Sequence, residues 1–236
     1  MSEQRKQNGR ALVWLLIVIF AAGTIGMLAL LSNVATRKIE AKQVVFKVAE
    51  LDETTDDPEV WGKNYPRQYD SYKRTVDTQR TRYGGSENIQ HLDENPRLRT
   101  IFNGYAFAID YREERGHAYM LSDQRETERV TKKVQPGACL HCHASMVNVY
   151  REAGVKAGAA GDLTCSATSK EGLAQIYKGW ETLNPQPYHD VTGLASHPVA
   201  CIDCHDPSSM ALRITRPGFI NGIRELAKSS DDTPHL

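Results

Sequence analysis

The chain has 236 residues, enough for one domain of ordinary size or a small domain plus an anchor. Its 29 lysines and arginines equal its 29 aspartates and glutamates. No basic surplus exists to neutralise phosphates, which argues against nucleic acid as the main partner. Five cysteines, four of them in two Cys-x-x-Cys pairs, do not make the framework of a small disulfide-stapled domain.

Residues 1–10 carry Arg5, Lys6 and Arg10 and read as a basic cytoplasmic tail. Ala11 to Leu31 (ALVWLLIVIFAAGTIGMLALL) is uncharged and almost wholly apolar. At about 1.5 Å per residue, a helix of this length crosses a hydrocarbon core of roughly 30 Å. The alternative is a cleaved signal peptide. The apolar run exceeds the roughly 7–15 residues of such a segment, and no clear A-x-A site follows, so 11–31 reads as an uncleaved transmembrane anchor. Arg37, Lys38 and Lys42 follow closely, so flanking charge alone does not orient it. Residues 32–60 read as stalk and linker, with the acidic run Asp52 to Glu59 (DETTDDPE) as a solvated loop.

From Trp61 to residue 236 the texture is globular. Tyr65-Pro66 precedes a predicted helix over about residues 67–80, and Asn95-Pro96 marks a turn or helix start. Ser122 to Lys133 is rich in helix formers, and Val134-Gln135-Pro136-Gly137 breaks it. Ala153 to Gly161 reads as a glycine-rich loop. Thr168-Ser169-Lys170-Glu171 fits a capping box, and Leu173, Ile176, Tyr177 and Trp180 follow on one helical face. Asn184 to His197 reads as loop. Met210 to Lys228 is helical in character, interrupted at Pro217-Gly218. With no internal repeat and little alternation of period two, the fold class is mostly α with long loops, preceded by one N-terminal transmembrane helix.

Two segments have the form Cys-x-x-Cys-His: CLHCH at 139–143 and CIDCH at 201–205. The two-residue gap sets two sulfurs at the separation of a porphyrin's vinyl groups, and the adjacent histidine then sits under the iron. Cys139, Cys142, Cys201 and Cys204 are therefore read as thioether anchors of haem c, with His143 and His205 as proximal iron ligands. Zinc ribbons place their pairs about 15–20 residues apart, far closer than Cys142 is to Cys201. A thioredoxin-like redox pair needs a βαβ setting that neither motif has. Attachment of c-type haem follows export, which puts the body on the periplasmic side of the membrane. His91, His117, His189, His197 and His235 remain candidate distal ligands, and each has the plain alternative of a surface or core histidine. Two axial histidines make an electron relay, whereas an open position admits a substrate.

WGKNYPRQYDSYKRT (61–75), ENPRLRTIFNGYAFAIDYREERGHAY (94–119), SDQRETER (122–129) and CIDCHDPSSMALRITRPGFINGI (201–223) occur in this order. In these segments the sequence resembles the ammonia-forming cytochrome c nitrite reductases. The resemblance implies a periplasmic, multihaem, mostly helical enzyme with five haems that reduces nitrite to ammonium at one open haem. It implies that the first motif holds that haem, with His143 where many members carry lysine. Arg129 matches the family's active-site arginine, with Arg125 as the neighbouring alternative, and a solvated arginine is the plain reading of either. His117 matches the distal ligand of a later haem that this chain does not hold. The family's remaining haem motifs, its calcium site and its active-site tyrosine and histidine have no counterpart up to residue 236. The chain is accordingly expected to be the N-terminal part of such an enzyme. Its implied partners are nitrite, a quinol-oxidising membrane cytochrome as electron donor, the membrane and a second copy as homodimer. A membrane-tethered dihaem electron carrier without catalytic activity is the alternative, and a zinc-binding module the third.

Overall fold

The computed structural model describes residues 2–42, 47–74, 89–112 and 115–229. The chain forms two compact units, residues 1–46 and 47–236.

The first unit is helix α1, Ser2–Lys42. Its stretch Val13–Lys38 contains 18 consecutive residues with a mean hydropathy of 2.5, none of them buried. Trp14, Phe20, Ile25 and Leu30 all stand exposed. A helix apolar on every side suits lipid, where its backbone polar groups are satisfied internally. Among the described residues it is the one helix long and apolar enough to cross a bilayer, a property a signal sequence shares. The sequence places a stalk after Leu31; the helix instead continues to Lys42.

The second unit is mostly helical, and its described residues hold no strand, only isolated bridges such as Gln90 with Arg112 and His205 with Leu212. In chain order the helices are α2 (Pro58–Asn64), α3 (Pro66–Lys73), α4 (His91–Glu94), α5 (Leu98–Ile101), α6 (Met120–Glu126) and α7 (Glu128–Thr131). Then follow α8 (Leu140–His143), α9 (Val147–Lys156), α10 (Lys170–Leu183), α11 (Tyr188–Val191) and α12 (Pro217–Ser229). Proline opens α2, α3 and α12, where its missing N–H costs nothing. Fully buried Leu140 and Ile176, with Val147 and Tyr150, centre the larger core, and each such aliphatic contributes about 1.5–3 kcal/mol.

Several local expectations are corrected. Residues 47–60 pack into the body: Asn64 Oδ1 accepts the Val48 and Ala49 N–H groups at 2.7 and 2.9 Å. The acidic run is anchored, because Arg213 Nη1 donates to both Glu53 oxygens at 2.8 Å in a buried pair. Helix α3 ends at Lys73, and residues 75–80 of the expected longer helix lie outside the described residues. The helix expected over 122–133 is broken at Thr127 into α6 and α7. The stretch 153–161 is helical as far as Lys156. Gly154 serves packing there, since a Cβ would stand 2.0 Å from the Gln175 carbonyl oxygen. The cap of α10 is Ser169, not Thr168, and its side chain accepts the Gly172 N–H at 3.0 Å. Helix α12 begins only at Pro217, because the chain returns over the second motif, with Leu212 bridged to His205 and the Arg213 N–H on the Cys204 carbonyl.

Candidate functional site

The first motif follows the Pro136 break, where the backbone bonds to the α10–α11 connection (Gly137 N–H to Gln186 O, 2.6 Å; Tyr188 N–H to Gln135 O, 2.7 Å). Helix α8 then carries Cys142 and His143. Cys139, Cys142 and His143 line a cavity of about 390 Å³ together with Tyr105, Phe107 and Arg129. That volume lies in the range of ligand-binding pockets, and its lining is mostly apolar and aromatic.

Arg129 reaches this cavity because of how α7 starts. Thr127 Oγ1 accepts the Arg129 N–H at 3.3 Å and donates to Asp110 Oδ2 at 2.8 Å. The same Asp110 oxygen accepts the Glu128 N–H at 2.8 Å. Burial works to raise the pKa of Asp110, but its bonds from Glu128, Thr127, Gln90 and Arg112 outweigh that and hold it below the usual carboxylate range. A fixed anion thus sits at the N-terminus of α7, where the helix dipole favours it. The Arg129 guanidinium lies over the Phe107 ring, 5.0 Å from its centre. Arg125, by contrast, spends its donors on the carbonyls of Thr192 and Ala195 at 2.6 and 2.7 Å and does not line the cavity.

The remaining histidines are distributed as follows. His117 is exposed and is not part of the cavity wall. His141, inside the first motif, has both ring nitrogens engaged: Nδ1 with the Tyr150 hydroxyl at 3.2 Å, and Nε2 accepting the Gly218 N–H at 3.3 Å. Burial, helped by Arg216, pushes its pKa down to about 4, so it is neutral at pH 7. His91 lies against the Tyr111 ring at 5.1 Å, and His189 is exposed beside Asp190. His197 is half-buried, 4.0 Å from Asp56. His235 lies outside the described residues.

In the second motif a short helical turn carries Cys201 to Asp203. His205 Nδ1 donates to the Met210 carbonyl at 2.9 Å. A carbonyl only accepts, so Nδ1 holds the proton and Nε2 keeps the lone pair that an iron needs. Met210 presents that carbonyl from a left-handed conformation, φ 59°, a strained state for a residue with a side chain. Asp203 is buried, and burial raises its pKa despite nearby Arg216 and the N–H groups of Ala200 and Met146. Sequence reasoning missed Asp203 and Arg216. The first occupies a variable position of the generic motif, and the second lies among the quoted residues that carry the family resemblance.

The donor sets fit haem. All five cysteines are free, so neither pair is a disulfide. Burial pushes the Cys201 thiol up to about 11 and raises Cys139 and Cys204 too, the reverse of a reactive redox dithiol. Arg216 Nη1 and Arg213 Nε are buried donors with no protein acceptor, which suits the carboxylates a porphyrin carries. Cys165 receives a bond from Arg151 Nη2 at 3.2 Å, away from both motifs in sequence.

A family model described as cytochrome c552 matches residues 57–235. The chain belongs to the cytochrome c552 family. Among its relatives, cytochrome c-552 of Parabacteroides distasonis is 28% identical over 229 residues, covering 91% of this chain and 40% of the relative. The cytochrome c nitrite reductase subunit NrfA of Nitratidesulfovibrio vulgaris is 28% identical over 236 residues, covering 91% of this chain and 38% of that protein. This cytochrome c552 chain therefore spans about two fifths of the length of the curated relatives it matches. The solved cytochrome c nitrite reductase of Desulfovibrio desulfuricans, described with two calcium sites in its catalytic subunit, shares the fold at a TM-score of 0.55 and 20% identity, over 80% of this chain and 38% of that one.

Proposed function

We propose that the chain binds two c-type haems, at Cys139/Cys142/His143 and Cys201/Cys204/His205, and that the first is the site of six-electron reduction of nitrite to ammonium. The observation that carries this reading is the convergence of Arg129 with Cys139, Cys142 and His143 on one cavity. A haem held there by Cys139, Cys142 and His143 would supply an iron that takes up the substrate and a redox couple for electron delivery. Arg129 contributes a fixed guanidinium whose N–H groups bind the nitrite oxygens and offset charge developing on them. Tyr105 and Phe107 line the same cavity, and the Phe107 ring lies under the guanidinium. Asp110 and Thr127 act through α7 by keeping the arginine in place. Helix α1 anchors the body at the periplasmic face, and electrons come from a quinol-oxidising membrane cytochrome. Dimer formation is carried over from the family resemblance, whereas the family's calcium site has no counterpart among residues 1–236.

The test is expression in a host that matures c-type cytochromes, followed by incubation with nitrite and a reduced viologen. Ammonium should form with six electrons consumed per nitrite. Protein carrying both porphyrins that forms none overturns the catalytic reading.

A second reading, a membrane-tethered dihaem carrier, is favoured by the direct hydrogen bonding between the two motifs at Asp203 and Met146. The spin state separates the two: an open first haem gives a high-spin signal by electron paramagnetic resonance, and a pure carrier gives low-spin signals only.

A further inference from the structure

The two attachment motifs are bolted together by one buried ion pair. Asp203 lies between the second pair of cysteines and is 1% exposed. Its Oδ1 accepts the Met146 N–H at 3.1 Å and its Oδ2 accepts the Ala200 N–H at 2.8 Å. Arg216 Nη2 stands 3.4 Å from Asp203 Oδ1 and also donates to the Ala144 carbonyl at 3.1 Å. Ala144 directly follows His143, so one guanidinium nitrogen touches the chain beside both proximal histidines. The flanking residues repeat the pattern. Thr215 Oγ1 donates to the Asp203 carbonyl at 2.6 Å, and Gly218 N–H to His141 Nε2 at 3.3 Å. The segment 215–218 therefore crosses both motifs. A carboxylate buried this completely costs several kcal/mol unless paired and hydrogen-bonded, and an apolar pair of similar volume often serves stability as well. Its presence calls for a role that packing alone does not fill.

We propose that Arg216 and Asp203 are positioning residues that hold the two haem motifs at a fixed separation and thereby set the rate of electron exchange between the two haems. The proposal rests on the two-haem reading above and is independent of nitrite reduction. Asp203 directly precedes Cys204, and Arg216 holds the Ala144 carbonyl next to His143, so loosening the bridge loosens the haem spacing without touching an iron ligand.

The experiment uses the full chain carrying both haems, with Arg216→Gln, Arg216→Lys and Asp203→Asn variants. Electrons are redistributed by photolysis of carbon monoxide from half-reduced protein, with no nitrite present. Arg216→Gln should slow the exchange several-fold, because a loosened bridge lengthens the path between the two haems. Asp203→Asn, which leaves the Arg216 donors in place, should slow the exchange likewise with the absorption spectrum of each haem unchanged, a separation that general destabilisation does not produce. Arg216→Lys, reaching one acceptor in place of two, should fall between. A wild-type exchange rate in Arg216→Gln with both haems attached overturns the proposal. So does loss of a haem from all three variants, because the pair then serves attachment and not spacing. Failure of the ammonium assay alone leaves this test intact, so the two readings fail separately.

Discussion

Replacing Gly179 by alanine sets two effects of opposite sign against each other. Gly179 lies inside α10, where alanine is intrinsically better than glycine by about 1 kcal/mol. The crossing with α9 decides otherwise. A Cβ on Gly179 would stand 1.9 Å from the Tyr150 carbonyl oxygen, so the backbones would have to part by more than 1 Å to reach an ordinary contact beyond 3.0 Å. Helix α9 cannot yield cheaply, because the Tyr150 hydroxyl donates to Asn184 at 2.9 Å and bonds His141 of the first motif. Overpacking of this kind costs about 1–3 kcal/mol or more, and the upper end applies where both sides are backbone. The net expectation is a loss of about 2 kcal/mol, or roughly 4–8 °C in melting temperature for a domain of this size. Gly222 in α12 is the matched control: nothing lies within 4 Å of its Cβ position. Gly222→Ala should gain about 0.5–1 kcal/mol from propensity alone. Thermal unfolding of both variants, followed by far-ultraviolet circular dichroism, reads the difference. A Gly179→Ala protein as stable as wild type would refute the packing argument.

Arg129→Gln should weaken nitrite binding roughly 10–150-fold, the equivalent of losing a charge-assisted bond of about 1.5–3 kcal/mol, while Arg125→Gln leaves it unchanged; spectral titration of the first haem checks both. Asp110→Asn should give the same direction of effect as Arg129→Gln, because it removes the anion that organises α7. Asp110 has a depressed folded-state pKa, so the stability it lends is whole above its unfolded value near about pH 4 and is lost as pH falls through the lower folded value. Acid titration of wild type against Asp110→Asn should show that added acid sensitivity in wild type only. Substituting both cysteines of one motif by serine should reduce the mass of the mature protein by one porphyrin, whichever motif is changed; retention of two would overturn the assignment.

The sequence was most informative where chemistry demands a local pattern. The two Cys-x-x-Cys-His patterns, the apolar span, the helix start at Pro66 and the mostly helical class were legible from a few residues each, whereas Pro58 read as linker and Pro217 as a helix break though both open helices. The resemblance carried Arg129, whose approach to the first motif no spacing rule contains. What stayed hidden depends on contacts between distant segments. Glu53 looks like part of a solvated acidic run until Arg213 is seen to pair with it, 160 residues away. Gly154 looks like a loop signal, because the facing helix that requires its small size comes later in the chain. Asp203 looks like filler between two cysteines until Met146 and Arg216 arrive from elsewhere.

The return of residues 212–218 across the second motif bears on how the molecule is made. Arg213 N–H bonds the Cys204 carbonyl at 2.8 Å, and the thiols beneath are partly buried once this segment is down. Porphyrin insertion and thioether synthesis require accessible sulfur, so on the two-haem reading proposed above the expected order is cofactor ligation first and closure of the returning chain second. Folding of this tail is then a product of maturation, and apoprotein that collapses early would shut itself off from the ligation machinery.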